Sequence, residues 1–131
     1  MRASSRRQAK AVPAVDSKEK ALCAMAALVD KRAVEPMLLD MREITLITDY
    51  FLICSGTSNV HIRALGQAAV ETLEEMGLRP HGVEGREQAR WVLLDYGDLI
   101  VHVFAQEERE FYALERLWGD APRVAEAAGA G

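Results

Sequence analysis

"YFLICSGTSNVHIRALGQAAVETLEEMGLRP", residues 50–80, decides the fold. Tyr50 to Ser55 is almost entirely apolar and ends in the small polar run Ser55-Gly56-Thr57-Ser58. An unbroken apolar run of this length reads as a central strand covered on both faces. Ile62, Leu65, Ala69, Leu73 and Met76 then recur at steps of three and four, the spacing of one helix face. Thr57 or Ser58 supplies the N-cap. Gly77 followed by Leu78 supplies the C-terminal cap, and Pro80 forbids continuation. A strand, this helix and a further strand at "PHGVEG" predict a right-handed crossover between parallel strands.

Working outward, Asp16 with Glu19 three residues on has the form of a capping box. Leu22, Met25, Ala26 and Val29 predict a helix whose apolar stripe they form, ending near Ala33 before Pro36. "MLLDM", residues 37–41, reads as a short strand, and "REITLITD", 42–49, as a polar connection. Downstream, "WVLLD" and "LIVHVF" flank Tyr96-Gly97-Asp98, so Trp91–Asp95 and Leu99–Phe104 should form a hairpin turned by Gly97. A last helix follows, with Glu107, Glu108 and Glu110 at its positive end and Phe111, Leu114 and Trp118 on one face. The resulting order is α-β-β-α-β-β-β-α. The expected fold is an α/β domain, a mixed five-stranded sheet packed with helices. The domain should occupy residues 16–120, between a disordered basic arm at 1–15 and a disordered tail at 121–131 rich in Ala and Gly.

Composition narrows the function. Half of the 131 residues are apolar and 27% charged, as in ordinary globular proteins. No run approaches the ~20 apolar residues that span a bilayer. Cys23 and Cys54 both lie in apolar runs without Cys-x-x-Cys spacing, which fits reduced thiols and a cytoplasmic location. The net charge of −4 is uneven: residues 1–20 carry +4 and the rest −8. The arm, which has neither the apolar core of a secretory signal nor more than a faint likeness to an organelle transit peptide, can touch RNA phosphates. The acidic body suits a basic protein partner.

Whether the loop at Gly56 holds a nucleotide is answered by what it lacks. A phosphate-binding loop needs a Lys after its glycines, and no Lys follows Lys31 in this chain. A dinucleotide fingerprint needs three spaced glycines. A nucleotidyltransferase needs paired metal-binding carboxylates on the next strand, and "PHGVEG" offers only Glu84. The structural role, Gly56 turning the chain and Thr57 or Ser58 capping the helix, is the better reading. His61, His81 and His102 lie on different elements without metal-ligand spacing. His102, between Val101 and Val103, reads as a satisfied strand residue, and Asp95 and Asp98 as turn residues. No catalytic residue, cofactor or metal site is indicated.

Four stretches together carry a resemblance: "ITDYFLICSGTSNVH", "HGVEG", "WVLLDYGDLIVHVF" and "FYALERLWG". In order and spacing they resemble the ribosomal silencing factors, the Iojap-like family, over roughly residues 17–120. The resemblance implies a nucleotidyltransferase-like fold without catalytic carboxylates. It implies a translational repressor that binds the large ribosomal subunit through large-subunit protein fourteen, blocks joining of the small subunit and lowers translation under nutrient limitation. It also implies no small-molecule substrate and no membrane, and it admits a homodimer and contact of the basic arm with ribosomal RNA. A large-subunit assembly factor using the same interface is the alternative, and a nucleotidyltransferase-like enzyme the alternative of a different class. For the partner-binding surface, exposed turns and aromatic anchors single out Glu84, Trp91, Asp95, Asp98 and Tyr112.

Overall fold

The computed structural model describes residues 16–126. The elements are α1 (Ser17–Asp30), β1 (Val34–Asp40), β2 (Tyr50–Gly56), α2 (Asn59–Glu75), β3 (Gly82–Glu84), β4 (Trp91–Asp95), β5 (Leu99–Ala105), α3 (Gln106–Tyr112), α4 (Leu114–Leu117) and β6 (Arg123–Glu126). They build one mixed sheet in the order β3-β4-β5-β2-β1-β6.

At the centre, β2 pairs in parallel with β5, from Tyr50 opposite Leu99 to Gly56 opposite Ala105. Every other pairing is antiparallel. The crossover through α2 does connect strands of the same direction, β2 and β3. They are not neighbours, because the β4–β5 hairpin inserts between them. Gly97, at φ +83°, makes the hairpin turn as expected, and Asp95 Oδ1 accepts the Gly97 N–H at 2.8 Å.

Side chains alternate between two layers. Helices α1 and α2 cover one face, where Ala21, Ala24, Leu28, Leu65, Ala69 and Leu73 meet Leu52, Cys54, Val92, Leu94, Val101 and Val103. Burial in this layer pushes the Cys54 thiol up to about 12, so it stays protonated and inert. The second face holds a smaller cluster of Met37, Leu39, Met41, Ile53, Phe104 and Ala121, with Ile44, Phe51, Trp91, Leu114 and Trp118 packed against it.

Five sequence expectations need correction. The sheet has six strands rather than five. The extra one, β6, lies inside the expected tail and pairs with the outer edge of β1, Leu38 opposite Ala125. It also packs Val124 and Ala125 against the helical-side core, but two adjacent apolar residues in a four-residue strand leave no periodicity to read. Residues 127–131 of that tail and the arm at 1–15 lie outside the described residues.

The stripe of α1 is rotated from the one predicted. Leu22 and Val29 are 40% and 41% exposed, whereas Lys20, Ala21, Ala24, Met25 and Leu28 are buried. Small residues permit close packing of α1 on α2, and the buried Lys20 ammonium is met by Asp98 at 2.6 Å. Asp16 sits at the N-cap position without a side-chain capping bond. The last helix is broken at Ala113, which takes a left-handed conformation at φ 46°. The break turns Leu114 and Trp118 onto the second cluster and leaves Phe111 81% exposed, away from them.

Gly56 is also not a turn residue. It is the buried last residue of β2, and a Cβ there would stand 2.7 Å from Ile62 Cγ1. Only glycine lets the first turn of α2 sit this close to the strand end. Ser58, the actual N-cap, accepts the His61 N–H at 3.0 Å.

Candidate functional site

Two regions bear on function: the crevice beyond the ends of the parallel strands, and the second face of the sheet. The crevice, about 450 Å³, is lined by Val34, Gly56 to Asn59, Ile62, Arg90, Ala105 and Gln106. Ligands of open α/β sheets favour such positions. Its one cationic side chain is already engaged, since the Arg90 guanidinium is bonded to both Glu107 and Glu108. His61 is used structurally. Its Nδ1 accepts the Thr57 N–H at 2.9 Å, and its Nε2 bonds the Lys31 carbonyl at 2.8 Å, tying the end of α1 to the start of α2. Among the described residues no group of three His, Cys, Asp or Glu side chains gathers as a metal site.

The second face is built by register. Glu84, Leu93, His102, Ile53 and Met37 lie side by side across five strands. Flanking rows run Asp95–Ile100–Phe51–Leu39 and Trp91–Phe104–Ser55. Helices α1 and α2 are on the other side, so this face has only α3, α4 and adjoining loops for cover. Phe51, Trp91, Leu93 and Ile100 are consequently only half-buried.

An aromatic cluster organises the face. The Trp91 ring lies 4.6 Å from Tyr112 and 4.9 Å from Phe104, centroid to centroid. Its Nε1–H donates to His102 Nδ1 at 3.1 Å. Phe51 stands edge-on to His102 at 4.7 Å and to Trp118 at 6.4 Å. Desolvation lowers the His102 pKa to about 4, so the ring is neutral at physiological pH.

Below α3, the buried guanidinium of Arg109 fastens the helix to the sheet. It donates to the Val34 carbonyl and Ser55 Oγ, both at 3.1 Å, and to Glu115 at 3.2 Å. On the helical side, the 85–90 loop is held by Arg63 of α2, whose Nε donates to the Arg86 carbonyl at 3.1 Å, and its Ala89 joins the core there.

Of the five residues singled out in the sequence, Trp91 and Tyr112 are brought into ring contact. Glu84 and Asp95 share their sheet face, at its β3–β4 margin. Asp98 stands apart: its carboxylate binds Lys20 of α1, on the helical side. Sequence reasoning passed over Phe51, Leu93 and Ile100, which share the face. The signal was present as alternation along β4 and β5, but the apolar residues on both faces obscured which one lacked helices.

A sequence profile described as "Ribosomal silencing factor during starvation" matches residues 14–130. The chain belongs to the ribosomal silencing factor family. Ribosomal silencing factor RsfS of Bacillus subtilis is 48% identical over 99 residues, covering 76% of this chain and 84% of that protein. A mouse relative, "Mitochondrial assembly of ribosomal large subunit protein 1", is 36% identical over 74 residues, 54% of this chain and 32% of that protein. The fold matches a crystal structure from Chromobacterium violaceum at TM-score 0.78, with 32% identity over 89% of this chain and 97% of that one. A second, from Bacillus halodurans, matches at TM-score 0.72 with 42% identity, covering 82% and 98%. The family is one of ribosome-associated regulators.

Proposed function

We propose that this protein represses translation by docking on the large ribosomal subunit through large-subunit protein fourteen, where its bulk keeps the small subunit from joining. The observation that carries the reading is the second sheet face, a family member's aromatic surface with carboxylates at its margin. Trp91 and Tyr112 offer rigid anchor area there. Glu84 and Asp95 at the margin complement a basic ribosomal protein and govern association rate and specificity. Asp98, being paired with Lys20, acts on stability more than on docking. No bond-making step is part of this function.

The similarity to the mouse protein named for large-subunit assembly favours a second reading, in which the same face serves subunit maturation. Sedimentation with isolated large and small subunits tests both. The protein should travel with large subunits at physiological salt and reduce formation of full ribosomes. Trp91→Ala should weaken binding by about 2 kcal/mol, roughly thirtyfold, as for an interface hot spot. Leu22→Ala, on the opposite layer, should leave binding unchanged. Preference for small subunits would overturn the reading. Accumulation of immature large subunits on depletion would shift it to assembly.

A further inference from the structure

His102 lies in the middle of the second face but beneath its surface, 4% exposed among half-buried neighbours. Because an indole N–H only donates, the bond from Trp91 requires a lone pair on Nδ1. The proton of the neutral ring is therefore on Nε2. That N–H has no hydrogen-bond partner among the described residues, and solvent does not reach it. The edge-on ring of Phe51 offers at most a weak π acceptor. An orphaned buried N–H costs about 1–3 kcal/mol, and native proteins keep few of them. Phenylalanine at this position would retain the stacking on Phe104, whose plane is within 9° of the imidazole, and would remove the orphaned donor, but it would leave the Trp91 indole N–H without its acceptor. Accepting from Trp91 accounts for Nδ1, and the buried Nε2–H is left without a role inside the described residues.

We propose that His102 is the polar anchor of the docking face, its Nε2–H donating to a carbonyl oxygen of a basic ribosomal protein inserted between Phe51 and Trp91. The inference rests on the docking reading above and adds the atom that gives the face its specificity. Glu84 and Asp95 at the margin point to a basic partner. A backbone or amide carbonyl is the acceptor that fits, because burying a carboxylate among aromatic rings costs far more than burying a neutral oxygen. The half-buried rings of Phe51 and Trp91 cover the imidazole, and interface side chains commonly change rotamer on binding. A partner that lacks an acceptor at this point leaves the donor unpaired, so His102 discriminates against it.

His102→Phe and His102→Gln, each measured for melting temperature and for binding to isolated large subunits, test the inference. His102→Phe removes the Nε2 donor and the acceptor of Trp91 together; it should keep its melting temperature within a few degrees of wild type yet bind about tenfold or more weakly, and that loss counts for the anchor only alongside a shift of the Nε2 proton in the complex. His102→Gln, which retains N–H donors, should recover part of the loss. In ¹⁵N-labelled protein mixed with purified large-subunit protein fourteen, the His102 Nε2 proton should shift downfield and exchange more slowly. Binding of His102→Phe within about twofold of wild type overturns the anchor while leaving the docking reading intact. An Nε2 proton unchanged in the complex does the same, and it decides the matter if the variants fail to fold. Failure of the wild-type protein itself to bind large subunits overturns both.

Discussion

Acidification from pH 7.5 to 5 should destabilise this protein through one residue, His102. Desolvation holds its pKa near 4, against 6.5 for an unperturbed histidine. Between these values the unfolded chain binds a proton that the folded chain refuses, so stability falls as pH falls through this window. With the folded pKa near 4, the loss is about 2 kcal/mol at pH 5 and about 3 kcal/mol at pH 4. Side-chain carboxylates mostly titrate below pH 5, so the upper half of the window belongs largely to histidine. Urea unfolding of wild type and His102→Phe at several pH values between 7.5 and 5 isolates the effect. The wild-type stability should slope upward with pH, and the slope should shrink by about 2 kcal/mol over the interval in the variant. Parallel pH profiles in the two proteins would refute the reasoning and mean that the folded ring accepts a proton readily.

Four further outcomes follow from the packing, the pairs and the Gly56 loop. Gly56→Val places carbon where Ile62 Cγ1 already stands, 2.7 Å from the added Cβ, and should cost about 1–3 kcal/mol in urea unfolding. Calorimetry with ATP and Mg²⁺ on the wild type should show no binding, whereas micromolar binding abolished in Gly56→Val would revive the nucleotide-enzyme alternative. Asp98→Asn leaves the buried Lys20 ammonium without its carboxylate and should lower stability by about 1–3 kcal/mol, with little change in binding to large subunits. Arg109→Met removes the donors to Val34, Ser55 and Glu115, and faster amide exchange across residues 106–118 should report the loosening of α3 and α4.

Local chemistry that is complete within a few residues was legible in the sequence. The strand expected at 50–55, the helix capped by Thr57 or Ser58 and ended at Gly77, and the hairpin turned at Gly97 each carry their signal in adjacent positions, and each formed, with the strand running one residue further to Gly56 and Ser58 as the cap. The four-segment likeness to ribosomal silencing factors was legible for a related reason, since those segments are the β2–α2 junction, β3, the hairpin and the last helices. What depends on distant partners was not. The face α1 buries is set by α2 and by the Lys20–Asp98 pair, 78 positions apart in the chain. The break at Ala113 serves the fit of Leu114 and Trp118 to strands from elsewhere, and β6 forms because β1 leaves an edge to pair with. The grouping of Trp91 and Tyr112 with Phe51 and His102 belongs to the same class. Sequence determined which residues are apolar and alternate, but only the sheet order, with both long helices on one side, decided which of those residues would be left half-covered on the other.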